Sequence, residues 1–235
     1  MEDINSNLES LYKKIAAAAL RVHRNPQDIR LVAVSKRMPA HFVKTALACG
    51  QKIFGENYLQ DAQKKIEEIG PGPEWHFIGH IQSNKAKNVV SLFDMIHTVD
   101  REKLARAINS HAGKIGKKTS VLVQVNVGKE EQKAGVLPEQ TEELLKKLQQ
   151  FDCLLVKGLM TMPPYRNNPE DVRPYFRALR EIAEQYTPKG YFHQPDKVEL
   201  SMGMSHDFEV AIEEGATLIR VGTAIFGPRP SLEKS

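Results

Sequence analysis

Leu31-Val32-Ala33-Val34-Ser35-Lys36 is a short apolar run that ends on a lysine. A strand of that composition is buried on both faces, as in a parallel sheet covered by helices. Downstream, Thr217-Leu218-Ile219-Arg220-Val221 repeats the pattern and ends on Gly222-Thr223. Between the two lie six further strand candidates: Lys52–Gly55, Trp75–Ile78, Met95–Val99, Ser120–Val127, Val156–Met160 and Val198–Met202. With 30–35 and 217–221 they make eight.

Helical patterns separate them, at Ala40–Cys49, Tyr58–Glu68, Gln82–Leu92, Arg101–Ala112, Pro138–Gln149, Glu170–Gln185 and Phe208–Glu214. An additional helix comes first, because Ile4, Leu8, Leu11, Ile15, Ala18 and Val22 recur at helical spacing. Eight strands alternating with helices predict an α/β fold, a single (β/α)8 TIM-type barrel with an extra N-terminal helix. A doubly wound open sheet is the alternative. No linker or low-complexity segment divides the chain, so residues 1–235 are expected to form one domain.

The 235 residues are 41% hydrophobic and 26% charged, the balance of a soluble globular protein. A net charge of +4, from 33 basic and 29 acidic residues scattered along the chain, does not argue for nucleic acid. Cys49 and Cys153 lack CxxC spacing and are expected to be free thiols of a reducing compartment. The polar start Met1-Glu2-Asp3-Ile4-Asn5 is not a signal peptide, and no apolar run is long enough for a membrane helix. A cytoplasmic location is expected, and no metal site, since the histidines lack ligand spacing.

In such a barrel the active site lies at the carboxyl ends of the strands, with phosphate often bound after strands seven and eight. The residues at those ends are Lys36, Asn57, His80, Asp100, Asn126, Met160, Ser201 and Arg220. Lys36 at a strand end is either a solvated rim residue or a desolvated, nucleophilic amine. Ser201-Met202-Gly203-Met204-Ser205 and Gly222-Thr223 offer small residues and backbone N–H groups to an anion, with Ser205 placed to cap the next helix. An amine for a carbonyl and a cradle for a phosphate together suggest pyridoxal phosphate.

Arg220 has three roles open to it: a phosphate ligand, a partner of the pyridine nitrogen, or a rim residue paired with Glu199. Asn57, in Gly55-Glu56-Asn57-Tyr58, either approaches a cofactor hydroxyl or makes a turn and helix cap. His76 and His80 share the strand face opposite Phe77 and read as hydrogen-bonded structural residues or as bases. Lys133 lies in a loop and is expected to be solvated, with an approach to the cofactor mouth as the second option.

Several stretches in order then match one family: Ala33-Val34-Ser35-Lys36, Phe54-Gly55-Glu56-Asn57-Tyr58, Trp75-His76-Phe77-Ile78-Gly79 and Gln82-Ser83-Asn84-Lys85. Gly158-Leu159-Met160, Leu200-Ser201-Met202-Gly203-Met204-Ser205 and Arg220-Val221-Gly222-Thr223-Ala224-Ile225-Phe226-Gly227 continue the match. Over essentially its full length the chain resembles the pyridoxal phosphate homeostasis proteins, the YggS/PROSC group.

The resemblance implies a barrel similar to the N-terminal domain of alanine racemase, without that enzyme's second domain. It implies that Lys36 forms the internal aldimine, that Ser201, Gly222 and Thr223 hold the phosphate, that Arg220 faces the pyridine nitrogen, and that Asn57 lines the pocket. Arg37-Met38 stand where some members carry a further lysine, which leaves secondary cofactor contacts there open.

Members of the family are regarded as non-catalytic carriers that buffer pyridoxal phosphate or pass it on, in vitamin B6 and amino-acid homeostasis. Apo-enzymes that use the cofactor are the implied partners, and a monomer is expected. The alternatives are an amino-acid racemase-like enzyme and a Schiff-base aldolase acting on a sugar phosphate.

Overall fold

The structure is a computed structural model, and it describes residues 3–228. Eight parallel strands close into a barrel in chain order: β1 (Arg30–Val34), β2 (Ile53–Glu56), β3 (Glu74–Phe77), β4 (Met95–Val99), β5 (Thr119–Gln124), β6 (Leu154–Met160), β7 (Glu199–Ser201) and β8 (Leu218–Val221). Closure is made by β1 on β8, with Arg30 opposite Leu218 and Ala33 opposite Val221. The open-sheet alternative is thereby excluded.

The outer ring is α2 (Ala40–Ala48), α3 (Leu59–Ile69), α4 (Ala86–Leu92), α5 (Glu102–Lys114), α6 (Thr141–Leu148), α7 (Arg173–Tyr186) and α8 (Phe208–Glu213). Short 3-10 turns at Ser83–Lys85, Pro138–Gln140 and Pro169–Val172 lead into α4, α6 and α7, so these helices start later than the periodicity alone suggests. A last short helix, α9 (Thr223–Phe226), lies where the sequence reads as a glycine turn.

The extra N-terminal helix is α1 (Ile4–Arg21), capped by Asp3, whose carboxylate accepts from the backbone N–H groups of Asn5 and Ser6. Its buried stripe of Ile4, Leu8, Leu11, Ile15 and Ala18 faces α8 and α9. Arg21 reinforces the contact through Glu209 and Glu213, both at 2.8 Å.

Strand alternation sorts the core in two. One set of side chains packs between strands and helices, and a smaller set, Val32, Met95, Leu122, Met160 and Leu218, fills the lumen. The lumen is also polar: His76, His97, Ser201 and Arg220 are all buried. Gly55 belongs to this lining, where an added Cβ would lie 2.9 Å from Val32 Cγ1.

Candidate functional site

A cavity of about 250 Å³ opens at the carboxyl ends of the strands. Lys36 enters it from the end of β1, Asn57 from the end of β2, Arg220 from β8, and Gly222 and Thr223 from the turn after β8. Five of the six residues expected at a cofactor site therefore line one cavity. Met162, Tyr165, Met204, Ser205 and His206 supply another wall.

Lys36 is partly buried and follows Ser35, which is fully buried and tightly held. The Ser35 hydroxyl donates to Glu56 Oε1 at 2.7 Å, and its carbonyl accepts from Lys65 Nζ at 2.7 Å. The residue before the lysine is thus anchored through backbone and side chain alike. Arg37, the residue after it, has φ 61° in the left-handed region. Its side chain turns into a neighbouring cleft, stacking on Tyr58 with 5.2 Å between guanidinium and ring centre.

Gly222 explains how β8 comes so near. An added Cβ would lie 3.0 Å from the Val34 carbonyl oxygen and 3.4 Å from Val34 Cβ. A larger residue would push the end of β8 away from the strand end that carries Lys36. The Thr223 hydroxyl donates to Ser205 Oγ at 3.0 Å, so two hydroxyls meet at the pocket wall.

Ser201 departs from expectation. It is fully buried and does not line the cavity; its Oγ accepts from Arg220 NH1 at 2.6 Å and lies 2.9 Å from His97 Nδ1. The strand period explains this, because Ser201 in β7 points into the lumen, and only after the turn at Gly203 (φ 89°) does the chain reach the cavity, at Met204 and Ser205. Ser205 in turn does not cap α8. The cap residue is Asp207, whose carboxylate accepts from the Met204 N–H at 2.6 Å.

Arg220 is 4% exposed, not a rim residue. Its NH2 donates to the Thr161 carbonyl at 2.9 Å, and Glu199 is engaged elsewhere, by Arg30 at 2.6 Å and Thr217 at 2.5 Å. Burial lowers the guanidinium pKa to about 10, opposed by Asp207, so the group is a cation at neutral pH. The same burial raises Asp207.

Asn57 Oδ1 is buried without a hydrogen-bond partner, although its residue lines the cavity. It is not the cap its position allows, since α3 begins after Tyr58 without a side-chain cap bond. An orphaned acceptor in a cavity wall is a position that a ligand donor satisfies.

The other strand-end residues serve the scaffold. Asp100 pairs with Arg101 at 2.5 Å, Asn126 Nδ2 donates to the Glu130 carbonyl at 2.8 Å, and Met160 fills the lumen. His76 is hydrogen-bonded inside the barrel, and His80 is exposed in the neighbouring cleft. Lys133 pairs with Glu130 at 2.6 Å, and its Nζ also lies 3.4 Å from the carbonyl of Met162, at the cavity's edge.

The residues present fit pyridoxal phosphate: one amine for an aldehyde, one orphaned acceptor for a ring hydroxyl, one buried cation beside a ring, and two hydroxyls for a phosphate. The comparisons agree. Residues 6–230 match the family profile of the alanine racemase N-terminal domain. The chain is 44% identical over 223 residues to the pyridoxal phosphate homeostasis protein of Aquifex aeolicus, covering 94% of this chain and 96% of that protein. It is 40% identical to the protein of that name from Escherichia coli strain K12, over the whole of both. PipY of Synechococcus elongatus, in a structure with pyridoxal phosphate bound, superposes with a TM-score of 0.82 at 36% identity, covering 96% of this chain and all of PipY.

A barrel of this kind, matched over residues 6–230, is of the alanine racemase N-terminal class. Within that class, the chain belongs to the family of pyridoxal phosphate homeostasis proteins.

Proposed function

We propose that this protein binds pyridoxal 5'-phosphate through Lys36 and holds it for buffering or delivery, without turnover of its own. The observation that carries the reading is the convergence of Lys36, the unpartnered Asn57 Oδ1 and the buried Arg220 on one cavity. When bound, the cofactor supplies an aldehyde that amines capture reversibly. Lys36 Nζ would be the amine that captures that aldehyde. Asn57 meets the ring hydroxyl. Thr223, Ser205 and the backbone at Gly222 hold the phosphate, and Ser201 contributes indirectly, by holding Arg220.

Arg220 sets the chemistry. A guanidinium beside the pyridine nitrogen opposes its protonation, because two adjacent cations repel. An unprotonated ring withdraws electrons poorly and stabilises amino-acid carbanions weakly. That favours storage over catalysis and agrees with the homeostasis proteins among the relatives. The partners in this reading are apo-enzymes that need the cofactor, met in the cytoplasm by a monomeric, single-domain carrier.

The test compares turnover with transfer. Loaded protein is incubated with alanine and other amino acids under chiral analysis, and separately with an apo-enzyme whose activity reports cofactor uptake. The reading expects activation of the apo-enzyme and no racemised or deaminated product. Product formation abolished by Lys36→Ala would establish the enzyme instead.

A further inference from the structure

The lumen carries a row of hydrogen bonds that the cavity alone does not require. Glu74 Oε1 lies 2.7 Å from His76 Nε2, His76 Nδ1 lies 2.9 Å from His97 Nε2, and His97 Nδ1 lies 2.9 Å from Ser201 Oγ. Ser201 Oγ then lies 2.6 Å from Arg220 NH1. The row starts at the first residue of β3, crosses from β4 to β7, and ends on β8 at the cavity. His76, His97 and Ser201 are fully buried, whereas the Glu74 side chain is 39% exposed at the opposite barrel end.

With both histidines neutral, the carboxylate end dictates the direction of every bond. A carboxylate only accepts and a guanidinium only donates. His76 must therefore donate from Nε2 to Glu74 and accept at Nδ1. His97 must donate from Nε2 and accept at Nδ1, and the Ser201 hydroxyl donates to His97 while accepting from Arg220. With both histidines neutral, every donor in the row meets an acceptor. Bonds aligned head to tail polarise one another, more so in a low-dielectric interior.

Resting on the cofactor reading above, we infer that Glu74, His76 and His97 are positioning residues that fix the orientation of Arg220 at the cofactor ring from the far end of the barrel. Cutting the row at His97 leaves the Ser201 hydroxyl without an acceptor. The guanidinium is then held by the Thr161 carbonyl and an unanchored serine.

The test is a titration of full-length protein with pyridoxal phosphate, followed by visible absorption, with circular dichroism melts as the check on folding. His97→Leu is expected to displace the visible band and weaken affinity roughly three- to tenfold, the effect of a broken buried hydrogen bond. His97→Gln, whose amide both accepts from Ser201 and donates to His76, is expected to restore both. Glu74→Ala, at the half-exposed end, is expected to displace the band in the same direction by less.

A folded His97→Leu variant with the wild-type band and affinity overturns the inference. If that variant does not fold, Glu74→Ala decides: a displaced band supports the row, and an unaltered one overturns it. A wild-type protein that takes up no cofactor overturns the underlying reading, whereas a normal wild-type band beside an unaltered variant overturns this inference alone.

Discussion

Lys65 Nζ meets Glu56 Oε1 at 2.5 Å inside the protein, with side chains 6% and 0% exposed. Both groups also hold Ser35, the residue before Lys36. Burial pushes the Glu56 carboxyl up, and Lys65 and Ser35 pull it back down. Its second oxygen is buried without a partner, so the pair is only partly compensated. Removing one member of such a pair strands a buried charge, at a cost of about 3–5 kcal/mol. Lys65→Met should lower the unfolding free energy by that much, read as a fall in the urea midpoint at unchanged slope, and adding Glu56→Leu should recover most of the loss. A single variant as stable as wild type would contradict the pair's role.

Gly79 marks a second tight place. An added Cβ would lie 2.2 Å from the Asn57 carbonyl oxygen and 2.8 Å from Asn57 Cα, both backbone atoms that cannot swing aside. Gly79→Ala should destabilise the fold by about 1–3 kcal/mol, the usual penalty for overpacking. Because the shift falls on Asn57, it should also weaken cofactor binding. Thermal melts and a cofactor titration check the two effects separately, and unchanged affinity would argue against Asn57 as a contact.

His97 makes stability depend on pH. Burial first, then the positive charges of Arg220 and Arg30, hold its pKa well below the ordinary 6.5. As pH falls through 6.5 the unfolded chain takes up a proton that the folded one refuses, so the stability present above that pH is progressively lost below it. One such proton corresponds to about 1.4 kcal/mol per pH unit at the limiting slope. Chemical denaturation at several pH values from 7.5 to 5 should show this decline, and His97→Gln should flatten it. Equal slopes in the two proteins would mean that His97 is not the group responsible.

Thr223 and Ser205 are assigned to the phosphate, which makes a selective prediction. Thr223→Val should weaken pyridoxal phosphate roughly tenfold, the size of a lost hydrogen bond to a charged group. It should leave the weak binding of unphosphorylated pyridoxal unchanged. Competition against the two ligands separates this from general damage to the pocket, since equal losses for both would remove the hydroxyl from the phosphate site.

Much of this fold is legible in the sequence. The eight strand cores of the barrel and the N-terminal helix follow from apolar runs and helical spacing, because burial on both faces leaves a strong local mark. Lys36, Asn57 and Arg220 stand out as strand-end residues because strand ends in a barrel converge, and they line one cavity with Gly222 and Thr223 of the turn after β8. Ser201 is expected at the phosphate and Ser205 at the helix cap, but the three residues between them decide which one faces the lumen, and the sequence does not show where the strand stops. Lys65 reads as an ordinary surface residue of α3, and only the packing of that helix over the end of β2 buries it. His97 did leave a signal: a histidine inside Met95-Ile96-His97-Thr98-Val99 needs a partner, and the partners come from strands far away in sequence.

The most direct measurement is borohydride reduction of the purified, cofactor-loaded protein, followed by peptide mass spectrometry, on wild type and Lys36→Ala. The account predicts a visible band that reduction removes and a pyridoxyl adduct on the peptide containing Lys36. In Lys36→Ala it predicts no adduct at that peptide, with residual weak binding through the phosphate. A wild-type protein that stays colourless with added pyridoxal phosphate, or an adduct placed solely on another lysine, would contradict it.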